Sequence, residues 1–268
     1  MTLTDAGTRS TGMGAGPAST SSPATKVLGT LALAGAVLLA LLGLWWSPAD
    51  AVQQDSVRLM YVHVPAAILM FVGVALTSLA SVMWLRRRTD GWDVLGQAAA
   101  EIGALMAGLT LLTGMIWGRP TWGVYWTWDG RLTSTALLFL LLLGYLTLRQ
   151  MPAPAESRSR RAAILGLLLV PNAIVVHYSV EWWNTLHQDA TIATLDPKID
   201  DLMLFTLFTG IVVGGLVFTW LLVHRFRVAW LECQLERTSL DLAIAERRAE
   251  AAGTPARGTT PRSAERSR

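Results

Sequence analysis

Cysteine is almost missing from this chain: Cys233 is the single one in 268 residues. That excludes a disulfide framework, a CxxC pair for redox or zinc work, and a CxxCH attachment site. Charge is scarce too, at 15% of residues, against about a quarter in soluble globular chains. Histidines number four: His63, His177, His187 and His224. No Gly-rich phosphate loop is present, so the chain has no nucleotide-hydrolysing motif of its own. No internal repeat stands out. The net charge of +3 comes largely from basic tails and loops and does not point to nucleic acid. What is abundant is apolar: 52% of residues are hydrophobic and the mean hydropathy is +0.42. The chain reads as an integral membrane protein.

Six apolar stretches are long enough to cross a bilayer. They are read at residues 27–46, 59–85, 94–116, 132–148, 162–180 and 202–223. The first is too long for a signal-peptide core and ends on Trp45 and Trp46, so it is read as a spanning helix. Residues 1–25, rich in Ser, Thr, Gly, Ala and Pro, are expected to be a disordered tail, and 252–268 likewise. The domain reading is therefore a six-helix unit at 26–224 between tails. A separate amphipathic helix at 225–251 carries Val228, Leu231, Leu235, Leu240, Leu242 and Ile244 among charges.

Arginine sets the expected orientation. The connector after the second span holds Arg86, Arg87 and Arg88, and that after the fourth holds Arg149, Arg158, Arg160 and Arg161. The alternate connectors hold only Arg58, then Arg119 and Arg131, then Lys198. The positive-inside rule then puts both termini and the Arg-rich turns in the cytoplasm. The connectors at 117–134 and 181–201 fall together on the outer face.

The 117–134 connector, WGRPTWGVYWTWDGRLTS, is the stretch around which the rest is organised. Gly118, Pro120, Gly123 and Gly130 argue against a continuous helix there. It reads as an aromatic shelf of Trp117, Trp122, Tyr125, Trp126 and Trp128. Indoles give wide, rigid apolar faces, and Arg119 and Arg131 at the edges suit carboxylates. A large planar ligand with peripheral acids, such as haem, matches that chemistry. On composition alone, an aromatic belt at the membrane interface is the favoured reading. Asp129 is placed to cap the following helix or to orient a ligand group.

His63 lies at the outer end of the second span and His187 just beyond the fifth. Both are ionisable groups beside the aromatic shelf, and two neutral imidazoles could grip an iron from opposite sides. The alternative for each is an interfacial histidine facing water. His177, six residues after Pro171, is read as a hydrogen-bonded helix histidine. His224 is read as interfacial. Glu101 is a carboxylate inside the third span, for which a structural or snorkelling role is favoured over transport.

Three motifs together resemble a family. They are the 117–134 segment, with the tryptophan-rich "WWD" character of haem-handling membrane proteins, Tyr61-Val62-His63-Val64-Pro65-Ala66-Ala67, and residues 177–188, HYSVEWWNTLHQ. In this order they are similar to the CcmC family, the haem-delivery components of bacterial cytochrome c maturation, over residues 27–224. The resemblance implies six spans in the bacterial inner membrane and haem b held at the outer face. It implies His63 and His187 as axial ligands, with Glu181, Trp182 and Trp183 nearby. It implies delivery of haem to the chaperone CcmE, alongside the CcmA/CcmB transporter and the small membrane protein CcmD. No catalytic residue is assigned. Tyr125 stands where a further Trp is common in the family. The rival readings are a haem or small-solute permease, hinted at by Pro171-Asn172 and Glu101, and a structural subunit with interfacial Trp belts.

Overall fold

The computed structural model describes residues 16–187 and 199–251, and among these it is all helix apart from short connections. Six helices run in chain order: α1 (Pro23–Leu41), α2 (Met60–Arg87), α3 (Asp90–Trp122), α4 (Gly130–Gln150), α5 (Ala155–Trp182) and α6 (Asp201–Ala251). Each is long and apolar enough to span a membrane. Of the tails expected at 1–25 and 252–268, residues 1–15 and all of 252–268 lie outside the described residues, as does part of the 181–201 connector, including Gln188 and Lys198.

Helix ends differ from the spans read from the sequence at several points, and α5 begins already at Ala155, so Arg158, Arg160 and Arg161 lie in a helix and not in a connector. Three further differences have a local cause. α1 begins at Pro23, because Ser22 and Thr25 form a reciprocal cap there and Pro sits in the first turn. α3 does not stop before the Trp-rich segment: it runs through Pro120 to Trp122 and ends on Gly123, whose φ of 80° is left-handed. Pro120 has no amide hydrogen to donate to the Ile116 carbonyl, and the helix runs on with that one bond missing. The third difference is at the C-terminus. The amphipathic segment is no separate helix but the continuation of α6, 51 residues without a break. No Gly or Pro lies between Leu216 and Ala251 to interrupt it.

Lipid tails are as apolar as Leu, so helix association here rests on close packing and polar ties more than on exclusion of water. α2 and α3 cross where Gly73 meets Gly103; a Cβ on Gly73 would lie 2.6 Å from the Gly103 Cα. Tyr145, Leu138 and Leu142 of α4 pack with Met70 and Val74 of α2, Leu169 of α5 and Phe218 of α6. α1 lies outermost, against α6, with Gly35 facing Val213.

Polar ties cluster at two ends. At one, Arg149 of α4 grips Asp93 of α3 with two bonds of 2.8 and 2.7 Å. Nearby Glu101 of α3 pairs with Arg225 of α6, and Gln97 bridges Glu101 and Arg149. Glu101 thus has a structural partner. At the other end lie the 47–56 connection, the α3–α4 loop and the segment that follows α5.

Candidate functional site

Around the second end the sequence builds supports before it builds a cavity. Asp50 accepts from the Val52 and Gln53 amides at 2.9 and 2.7 Å, which holds its carboxyl below the usual carboxylate range. That turn presents Gln53, whose Oε1 accepts the Trp117 indole N–H at 2.7 Å. Trp117 in turn packs edge-on against His63, with ring centroids 5.6 Å apart. Asp129 caps α4, accepting from the Leu132 amide at 2.7 Å, and is almost fully buried.

A cleft of about 700 Å³, including its open mouth, lies between α2, α3, α4 and α5. His63, Trp122, Trp126, Arg131, His177 and His187 all line it, with Met70, Phe71, Leu111 and Val176 among the apolar wall. His63 and His187, 124 residues apart in sequence, therefore share one cavity. The His63 Nδ1 is 3.0 Å from Thr113 Oγ1. The His187 ring lies against Trp122, centroids 4.7 Å apart, and its Nδ1 is 3.6 Å from Asp129 Oδ2. Burial lowers the His187 pKa; Asp129 opposes the shift and Arg131 adds to it. The imidazole is thus neutral at pH 7, as a metal ligand must be.

The remaining expected residues divide. Trp122, Trp126 and Arg131 line the cleft. The Arg131 guanidinium donates to the His177 carbonyl at 2.9 Å and to Ser179 Oγ at 3.4 Å, which leaves donors over for a ligand. Trp117 stands behind His63 and outside the lining. Trp128 is 83% exposed and meets only the edge of Trp126 among ring contacts. Tyr125 is exposed beneath the Arg119 guanidinium, which donates to the Gly123 carbonyl. Neither residue lines the cleft. Trp182 stacks on Tyr178, Trp183 covers Gly130, and Glu181 is exposed.

His177, expected to be a hydrogen-bonded helix histidine, instead lines the cavity, with its ring edge-on to Phe71 and Tyr178. Its backbone carbonyl, not its ring, takes the Arg131 bond. Sequence reasoning passed over Thr110, Thr113 and Gly114. Two threonines one helical turn apart in an apolar span were the available signal.

The donor set suits a large, flat, apolar, metal-bearing ligand with acidic edges. The wall is hydrocarbon and indole, two imidazoles come from separate elements, and one guanidinium faces in. Among the described residues, Trp126 Nε1, His187 Nδ1 and Asp129 Oδ2 are buried polar atoms without a hydrogen-bond partner, two of them on the cavity. Buried orphans of this kind are uncommon in a site complete in itself.

The family profile for heme exporter protein C matches residues 14–241. The heme exporter protein C of Bradyrhizobium diazoefficiens is 41% identical over 209 residues, which is 75% of this chain and 78% of that one. The Haemophilus influenzae protein of the same name is 38% identical over 199 residues, 73% and 80% of the two chains. A ccmC-like mitochondrial protein of Marchantia polymorpha, named for cytochrome c biosynthesis, is 37% identical over 167 residues, 62% and 71% of the two. The chain belongs to the CcmC family of heme exporter protein C.

Proposed function

We propose that this multi-pass membrane protein handles haem for cytochrome c biogenesis, taking haem b as cargo in the cleft beneath Trp122 and Trp126 and passing it to the chaperone CcmE. The observation that carries this reading is that His63 and His187 reach one aromatic cavity from different elements. In it, His63 and His187 ligate the iron from opposite sides, and Arg131 takes a propionate. Trp122 and Trp126 supply the apolar faces. Arg119 is committed to the Gly123 carbonyl and the Tyr125 ring, so the propionate falls to Arg131.

Bis-histidine ligation leaves the iron no open position, which suits carriage better than oxygen chemistry. The cleft's open mouth leaves an edge of the cargo within a chaperone's reach. The arginine bias argues that this mouth faces outward from the bacterial inner membrane, with the CcmA/CcmB transporter and CcmD as further partners. The features that favoured a permease have other work here. Glu101 is paired with Arg225, α5 runs unbroken past Pro171, and Asn172 ties α5 to the Ser134 carbonyl at 3.0 Å.

The test is haem content and axial-ligand spectroscopy of purified wild type, His63→Ala and His187→Ala, with covalent haem on co-expressed CcmE as a second readout. Loss of the bis-histidine spectrum and of CcmE loading in both variants is expected. Wild-type spectra from both would end the ligand assignment.

A further inference from the structure

The hydrogen-bond partners of Thr113 decide which nitrogen of His63 is free. The Thr113 hydroxyl sits 2.7 Å from the Leu109 carbonyl of its own helix and 3.4 Å from that of Thr110. A hydroxyl has one proton, and a carbonyl can only accept. With its proton spent on Leu109, Thr113 Oγ1 is left as an acceptor, and the atom facing it is His63 Nδ1 at 3.0 Å. Nδ1 must then carry the ring's hydrogen, which leaves the electron pair on Nε2. The ring is held at that angle by two more contacts on α3. Trp117 meets it edge-on, and at Gly114 even a Cβ would come within 3.0 Å of His63 Cε1.

We propose that Thr113 is a positioning residue that fixes His63 as the Nδ1–H tautomer, so that Nε2 is the ring's electron-pair donor. The role of that donor rests on the reading of His63 as a haem ligand; the tautomer does not. The two imidazoles are then backed unequally. Asp129, a carboxylate, stands beyond His187, whereas a neutral hydroxyl stands beyond His63. Hydrogen bonding from the outer nitrogen raises ligand basicity, more so toward an anion. His63 has that outer bond, at 3.0 Å, whereas the 3.6 Å from His187 Nδ1 to Asp129 is too long for one, so the donor strength of His63 depends on one hydroxyl.

The experiment is nitrogen NMR on the haem-free full chain in lipid nanodiscs, labelled with 15N-histidine, above pH 7. The His63 signals are assigned by their loss in His63→Gln. Wild type and Thr113→Ser should show the Nδ1–H form. Thr113→Val, nearly the same shape without an acceptor, should shift His63 toward the Nε2–H form, and Thr113→Ala should do the same if the valine variant fails to accumulate. An Nε2–H ring in wild type, or an unchanged tautomer in both acceptor-less variants, would overturn the proposal. In haem-loaded protein, loss of the acceptor should raise the midpoint potential relative to Thr113→Ser, because a weaker donor stabilises ferric iron less. An unchanged potential would overturn the link to donor strength. The ligand reading fails separately, through a His63→Ala protein with a wild-type haem spectrum; the haem-free tautomer still decides the part played by Thr113.

Discussion

Asp129 Oδ2 lies 3.6 Å from His187 Nδ1, and neither atom has a hydrogen-bond partner. The separation is just beyond hydrogen-bond length. The other carboxylate oxygen, Oδ1, caps α4 through the Leu132 amide. One side chain thus begins a helix and faces an imidazole across the loop. A small ring rotation on ligand binding would close the gap, as functional hydrogen bonds often do when a site fills.

The two jobs of Asp129 separate by substitution. Asp129→Asn keeps an acceptor for the Leu132 amide but loses the anion facing His187. It should melt near wild type and bind haem roughly 10–100-fold more weakly. Asp129→Ala should also lose about 1 kcal/mol of stability with the cap. Thermal melts and haem titrations in the same detergent check both.

Burial depresses the His187 pKa below 6.5, Asp129 opposes the shift and Arg131 adds to it. The ring should therefore titrate below the ordinary histidine value, still lower in Asp129→Asn and higher in Arg131→Gln. The stability consequence has one sign. As pH falls below 6.5 the unfolded chain takes up a proton that the folded chain refuses, so stability drops until the lowered folded pKa is reached. Histidine proton or nitrogen NMR against pH reads the order of the three proteins.

Trp117 and Trp128 come from the same segment and should behave oppositely. Trp117 is half-buried between Gln53 and His63, so Trp117→Ala should cost roughly 3 kcal/mol and weaken haem binding through a loosened His63. Trp117→Phe should restore most of the stability. Trp128 is 83% exposed, and Trp128→Ala should change stability by no more than about 0.5 kcal/mol. Melting temperature and haem affinity, measured together, test the contrast.

Arg149 is the most buried partner of its pair, with its side chain 9% exposed against 20% for Asp93. Removing it leaves a half-buried carboxylate unpaired, so Arg149→Ala should cost about 3–5 kcal/mol. Asp93→Leu combined with Arg149→Met should recover much of that loss. Detergent stability of the single and double variants decides it.

Much of this was legible in the residues themselves. Six spans follow from runs of apolar residues, because a bilayer demands about 20 in a row. Asp129 as a cap follows from its place before Gly130. The weak points were local conflicts. Pro120 and the glycines argued for a break, yet α3 continues to Trp122, since proline removes only its own amide's bond and the helix ends at left-handed Gly123. The charged residues after His224 suggested a new element, yet nothing in them stops a helix already under way.

The sequence alone determined that this chain crosses a membrane and which family it resembles, and it led to the expectation that His63 and His187 lie beside the Trp-rich segment. Only the tertiary structure decided which aromatic does what. Once α3 is helical through its last turn, Trp117 and Trp122, five residues apart, point about 140° apart around the axis. One therefore backs His63 and the other faces the cavity. Likewise the pairing of His63 with Thr113, and of His187 with Asp129, exists only because α2, α3, α4 and the end of α5 converge. Spacing along the chain carries the phase of one helix but not the rotation of that helix against its neighbours.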